Sequence, residues 1–134
     1  MYEFLDHTAD IAVRVWGKDL PSLFVNAAKA MAEYLEGFLS PLEGRGNSEL
    51  IELSGPDQNA LLVAWLSEIL YRTHTGRKIY TEFAITELTD KSLRAQIAGQ
   101  KAQKFSKDIK AVTYHGLEIK KVEQGYEATI TFDV

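Results

Sequence analysis

DQNALLVAWLSEILYRTHTG, residues 57–76, is the stretch on which the fold class turns. Leu61, Leu62, Trp65, Leu66, Ile69 and Leu70 recur at three- and four-residue intervals, the spacing that lines up side chains on one face of an α-helix. Asp57 stands where an N-cap is wanted and Gly76 where a helix stops, so the spacing predicts a helix opened near Asp57 and ended around Gly76. Its Trp and Leu side chains belong to a core rather than to a cofactor box, because residues of these types are mostly buried.

Beyond this helix the apolar period shortens to two. Residues 79–88, 93–98, 109–114, 117–122 and 126–132 read as strands, with a turn at 89–91 and a loop over 99–107. Glu123-Gln124-Gly125 is a tight connection in which Gly supplies the conformational freedom, so the last two runs form a hairpin. Upstream, Ile11, Val13 and Val15 alternate with Ala12, Arg14 and Trp16 as in a half-buried strand, and residues 2–5 form a shorter one. Asp19 caps a second helix, with Pro21 in its first turn and Leu23, Ala27, Ala30, Met31 and Tyr34 at helical spacing as far as Gly37. Pro41, Gly44 and Gly46 mark residues 39–47 as loop, and 49–53 alternate again as a strand closed by Ser54-Gly55-Pro56. Helices early and strands late define an α+β class: one domain over residues 1–134, with a mixed, mostly antiparallel sheet and two main helices packed on it.

The totals agree with one soluble core, 46% hydrophobic and 25% charged. No apolar run approaches the roughly 20 residues that span a bilayer, and the first ten residues are acidic where a signal peptide is basic and then apolar, so a cytoplasmic protein with no membrane partner is expected. The absence of cysteine excludes disulfides and thiolate chemistry, which leaves O and N donors for any metal. A net charge of −4 argues against a general nucleic-acid binder. Residues 91–121, however, carry eight Lys/Arg against Asp108 and Glu118, and read either as solvated surface or as a docking face for RNA or an acidic protein.

Nucleotide-binding and hydrolase signatures are missing: no P-loop, no GxGxxG, no GxSxG elbow and no HExxH. What remains is a set of hard oxygen donors: Asp6 and Asp10 around one turn, Asp133, and the terminal carboxylate of Val134. Calcium takes six to eight oxygens and accepts water among them, so two aspartates and a chain end suffice as anchors; by charge alone each aspartate is equally a solvated group or a cap. His7 and His115 are either ligands or proton carriers, or ordinary half-buried histidines. Lys110, in a short apolar run, either snorkels to the surface or faces a pocket, and Asp57 has a sufficient role as a helix cap.

Taken together, His7-Thr8-Ala9-Asp10-Ile11, Leu23-Phe24, Asn26-Ala27-Ala28, Asp57, Leu61-Leu62, Trp65-Leu66, Ile109-Lys110-Ala111-Val112-Thr113-Tyr114-His115 and Phe132-Asp133-Val134 resemble the archease family along essentially the whole chain. The resemblance implies a non-catalytic activator of an RtcB-type RNA ligase, promoting its guanylylation and multiple turnover in tRNA splicing and RNA repair, with tRNA and other cleaved RNA served indirectly. It also implies a divalent metal, calcium by preference, held by Asp10, Asp133 and Val134, with His7, Asp57, Lys110 and His115 around the site or touching the ligase. Two competing readings are a free-standing metal-dependent phosphoester hydrolase, with His7 or His115 as acid or base, and an RNA-binding or chaperone-like module stacking bases on Phe105 and Tyr114.

Overall fold

The structure, a computed structural model, describes residues 1–6, 10–35, 37–39, 46–105 and 107–134. Its elements in chain order are β1 (Tyr2–Asp6), β2 (Asp10–Gly17), α1 (Leu20–Leu35), β3 (Gly37–Leu39), β4 (Glu49–Ser54), α2 (Gln58–Gly76), β5 (Lys78–Leu88), β6 (Ser92–Phe105), β7 (Ala111–Thr113), β8 (Lys120–Val122) and β9 (Gly125–Asp133). Every strand pairing is antiparallel, and the strands divide into two sheets where the sequence suggested one. One sheet runs β1-β2-β9-β7, with β8 also on β9; the other is built on β6, with which β3, β4 and β5 each pair.

Both helices touch both sheets: α1 lies against β2, β9 and β5, and α2 against β4, β5, β6 and β7. That placement explains why so much of each helix is apolar. Leu23, Phe24, Ala27, Ala28, Ala30 and Met31 of α1 are buried, as are all six residues of the α2 stripe. Trp65 is fully enclosed and its indole Nε1–H donates to the Phe24 carbonyl at 2.9 Å, fixing α2 on α1. Asp19 and Asp57 cap as expected, accepting from Ser22 N and Ala60 N at 2.8 Å each. Arg77, in the left-handed region at φ 52°, ends α2 with its N–H on the Thr73 carbonyl.

Three expectations need correction. The loop expected over 99–107 is mostly strand, because β6 continues to Phe105. Gly99 marks a close approach rather than the start of a loop: a Cβ there would collide with the Ile79 carbonyl and come within 2.7 Å of Tyr80 Cα on β5. Leu39 belongs to β3, which pairs with the extended end of β6; residues 40–45 of that expected loop lie outside the described residues, and 46–47 are in no helix or strand, as expected. Finally, only Ala111–Thr113 and Lys120–Val122 are paired within the strands expected over 109–114 and 117–122, since β9 is shared between them. The β8–β9 hairpin forms as read, with Gly125 at φ 140°.

Candidate functional site

β2 begins and β9 ends at the same end of the five-stranded sheet, in its interior strands. Directly opposed residues of an antiparallel pair share a face, and alternate positions share it in turn. Val13 and Ile130, and Val15 and Ala128, are opposed and buried, so they set the core face; Asp10 and Asp133 are opposed on the other. The apolar pattern therefore forces two carboxylates into adjacent positions. Cross-strand partners stand about 4.5–5.5 Å apart at Cβ. Asp133 is exposed, whereas Asp10 is half-buried with its Oδ1 enclosed. Their local setting thus combines a solvent-facing carboxylate with a recessed one.

The neighbours fix this end of the sheet. Ala111 pairs with Asp133 from β7, and the Lys110 N–H donates to the Asp133 carbonyl at 2.7 Å. Lys110 is exposed and its backbone is therefore tied beside the carboxylate pair. Phe132 is fully buried and Val134 packs half-buried against the core, so the chain is anchored on both sides of Asp133 and its last residue stays at this end. Asp10, Asp133, Val134 and Lys110 are thus brought together.

The remaining candidates are placed elsewhere. β7 runs away from Asp133, with Thr113 opposite Thr131, and His115 lies beyond it, exposed, its backbone N–H on Thr113 Oγ1 at 3.2 Å. Asp57 caps the start of α2, whose neighbour Asn59 accepts from Ile119 N at 3.0 Å. The other end of α2 is the one near this end of the sheet, through His74 and Asp108 at 2.9 Å, so the length of α2 separates Asp57 from Asp10 and Asp133. His7 lies outside the described residues. Among the described residues no three His, Asp or Glu side chains gather to hold a metal ion. The donor set nevertheless suits a hard cation: two carboxylates from adjacent strands supply oxygens that calcium accepts while water completes its shell. Of the two proposed stacking groups, Tyr114 is 62% exposed, whereas Phe105 is half-buried beneath the Arg77 guanidinium at 5.7 Å.

A second polar constellation joins β4, α2 and β5. Glu49 accepts from Tyr80 Oη at 2.7 Å and from Lys78 Nζ at 3.3 Å, and pairs with Arg72 at 3.4 Å; Arg72 Nε also binds Glu68 at 2.7 Å. Burial alone would raise the Glu49 carboxyl, but the hydrogen bonds from Tyr80 and Lys78 and the Lys78 and Arg72 charges outweigh it and hold the group below its ordinary value. Burial, then the bond to Glu49, push the Tyr80 phenol well above its usual range. A signal for this cluster was present in the sequence: Glu49 shares the parity of buried Ile51, and a carboxylate on the inward register of a strand requires partners. The network ties β4 and β5 to α2 and partners each of its charges, so it is structural.

Fold and site together define a small two-sheet α+β protein with an acidic centre at one end of a sheet and neither a nucleotide-binding loop nor a nucleophile motif. Residues 2–134 match the model of the archease protein family, and the chain belongs to that family. It is 37% identical to the protein archease of Methanosarcina barkeri over 141 residues, covering 99% of this chain and 95% of that one. With the protein archease of Saccharolobus islandicus the identity is 33%, over 99% and 98% of the two chains. The solution structure of a Methanobacterium thermoautotrophicum protein superposes with a TM-score of 0.72 at 28% identity, covering 99% of this chain and 98% of that one. The crystal structure of a Thermotoga maritima archease, described there as a possible chaperone, shares the fold with a TM-score of 0.72 at 18% identity, over 97% and 94% of the chains.

Proposed function

We propose that this protein is a non-catalytic accessory factor that activates an RtcB-type RNA ligase, promoting guanylylation of the ligase and its multiple turnover in tRNA splicing and RNA repair. The observation that carries the reading is the direct opposition of Asp10 and Asp133 where two central strands of the five-stranded sheet end. Like charges so placed destabilise a sheet, and a pair at the strand ends with one exposed carboxylate is suited to a ligand of opposite charge. Asp10, Asp133 and the terminal carboxylate of Val134 would hold a divalent cation, calcium by preference.

When bound, such a cation supplies positive charge that neutralises phosphate oxygens in nucleotidyl transfer. The chain's own residues do the rest. Asp133 presents its carboxylate outward, Asp10 closes the site from the recessed side, and the Lys110 main chain fixes the β9 end so that the oxygens keep their spacing. An open site of this kind can be approached by a partner's metal-dependent pocket. Of the two histidines named as acid or base, His115 lies beyond β7 and is exposed; the accessory reading rests on the family instead.

The deciding experiment is a reconstitution of ligase, GTP, metal and RNA with and without this protein, reading guanylylation and turnover. Stimulation that is lost in Asp10→Ala and Asp133→Ala supports the proposal. No rate effect of the wild-type protein, or full stimulation by both variants, refutes the activator or the metal-centred reading respectively. Phosphoester turnover by this protein alone would favour the hydrolase.

A further inference from the structure

The outer face of the five-stranded sheet runs from Asp10 and Asp133 at one end to Trp16 and Glu127 at the other, since these pairs are in register and of equal parity. Trp16 is 36% exposed on that face. An aromatic side chain of this size left in water is informative when it borders a concavity, and Trp16 lines a cleft of about 380 Å³ with Glu3, Arg14, Val122, Glu123 and Glu127.

The ring is displayed from a rigid position. The Trp16 N–H donates to the Met1 carbonyl at 3.0 Å, and its own carbonyl accepts from Asn26 Nδ2 at 2.9 Å and from the Met1 ammonium at 3.3 Å. The cleft wall is fixed as well. Gly17 packs so closely on α1 that a Cβ would come within 2.5 Å of Leu23 N, and Gly125 at the hairpin presses onto the Gly17 carbonyl. Such a site is preorganised, so a ligand loses little affinity to ordering it.

The charges select the ligand. Arg14 is engaged by Glu3 at 3.5 Å, whereas Glu123 and Glu127 form no ion pair among the described residues, and Lys120, the other register neighbour of Glu127, makes none with it. Three carboxylates against Arg14, even with Lys120 beside Glu127, leave the cleft net negative and favour a cation over a phosphate or an RNA strand. A flat indole face beside a carboxylate suits a planar cation, which can stack on the ring while its N–H fork reaches the acid; a lysine ammonium provides a point charge without that plane.

We infer that the Trp16 cleft is a docking site for an arginine side chain presented by a protein partner. The guanidinium stacks on Trp16 and donates to Glu127, with Glu123 adding charge from the hairpin. The cleft lies six residues along β2 from Asp10, roughly 20 Å at strand rise, and stands independently of any cation held there.

The test uses the full-length 15N-labelled protein, titrated with a capped Gly-Arg-Gly peptide and followed at the two tryptophan indole N–H signals. The expected result is a saturable shift at Trp16, with buried Trp65 unmoved as the reporter of an intact fold. Replacing the peptide arginine by citrulline, or Glu127→Gln in the protein, should weaken binding about threefold or more, and lysine should bind more weakly than arginine. No saturable shift at millimolar peptide, equal binding of the citrulline peptide, or an undiminished affinity in Glu127→Gln would each overturn the inference. A short RNA that shifts Trp16 while the arginine peptide does not would overturn it in favour of an anionic ligand.

Discussion

Asp10 and Asp133 are direct partners across the β2–β9 ladder, and among the described residues of the five-stranded sheet no other pair of like charges is opposed in this way. Two consequences of opposite sign follow. Opposed like charges work against the pairing by about 0.2–1 kcal/mol; on the proposed reading, a bound cation would turn the same oxygens into ligands. If the proposed site holds calcium, the wild type should gain thermal stability from the ion, and Asp133→Asn should abolish that gain while raising the midpoint slightly in chelator. Thermal unfolding of both proteins with and without calcium checks it, and a calcium-dependent gain retained in Asp133→Asn would remove this carboxylate from the site.

Glu49 makes stability depend on pH in the acid range. Its folded value lies below its ordinary one of 4.5, so the stabilisation is fully present above the ordinary value and is lost as pH falls through the folded one. Urea midpoints measured between about pH 6 and pH 3 should drop more steeply for the wild type than for Glu49→Gln, which is less stable near neutrality and has less to lose.

The phenol bound to that carboxylate gives a separate measurement. Tyr80→Phe removes the 2.7 Å donor and leaves a part-buried carboxylate with one partner fewer. A cost of about 1–2 kcal/mol is expected from denaturant unfolding. An unchanged midpoint would show that water replaces the hydroxyl without loss.

Much of this was legible in the sequence, and the particulars show why. The helices were readable because Asp57 and Asp19 cap them and because Leu61–Leu70 keep a strict apolar spacing, both local signals. Division into two sheets was not, since strand pairing is a long-range choice that spacing does not encode. Gly99 misled in a specific way. A glycine in a polar run reads as the start of a loop, whereas here it admits the β5 backbone beside β6, a demand set by another segment. For the site, physics alone left Asp10 and Asp133 as ordinary surface acids 123 residues apart; only the register of β2 on β9 makes them neighbours. The family resemblance supplied the pairing in advance, and it did not supply Trp16 or Glu49.

Gly99→Ala tests that close approach. The new methyl group would meet main-chain atoms of Ile79 and Tyr80, which cannot swing aside as a side chain would. The strands must separate locally, at a cost of about 2–3 kcal/mol by analogy with overpacked cores. Hydrogen exchange should show lost protection concentrated on β5 and the second half of β6, with the β2–β9 ladder unaffected. Uniform loss of protection would mean that the two sheets unfold as one unit.

Extending the chain by one glycine after Val134 separates the terminal carboxylate from the residue that carries it. The Val134 side chain is seated against the core, and an added residue leaves that seat intact, so stability in chelator should change by less than about 0.5 kcal/mol. The carboxylate, by contrast, moves one residue away from Asp10 and Asp133, and an amide carbonyl without net charge takes its place. Calcium affinity measured by calorimetry should fall about tenfold, equivalent to about 1.4 kcal/mol. Carbonyl oxygen is an acceptable calcium ligand, so the fall reflects charge rather than the loss of a donor, and it should shrink as ionic strength rises. An affinity unchanged by the extension would leave Asp10 and Asp133 as the only protein carboxylates in the proposed set.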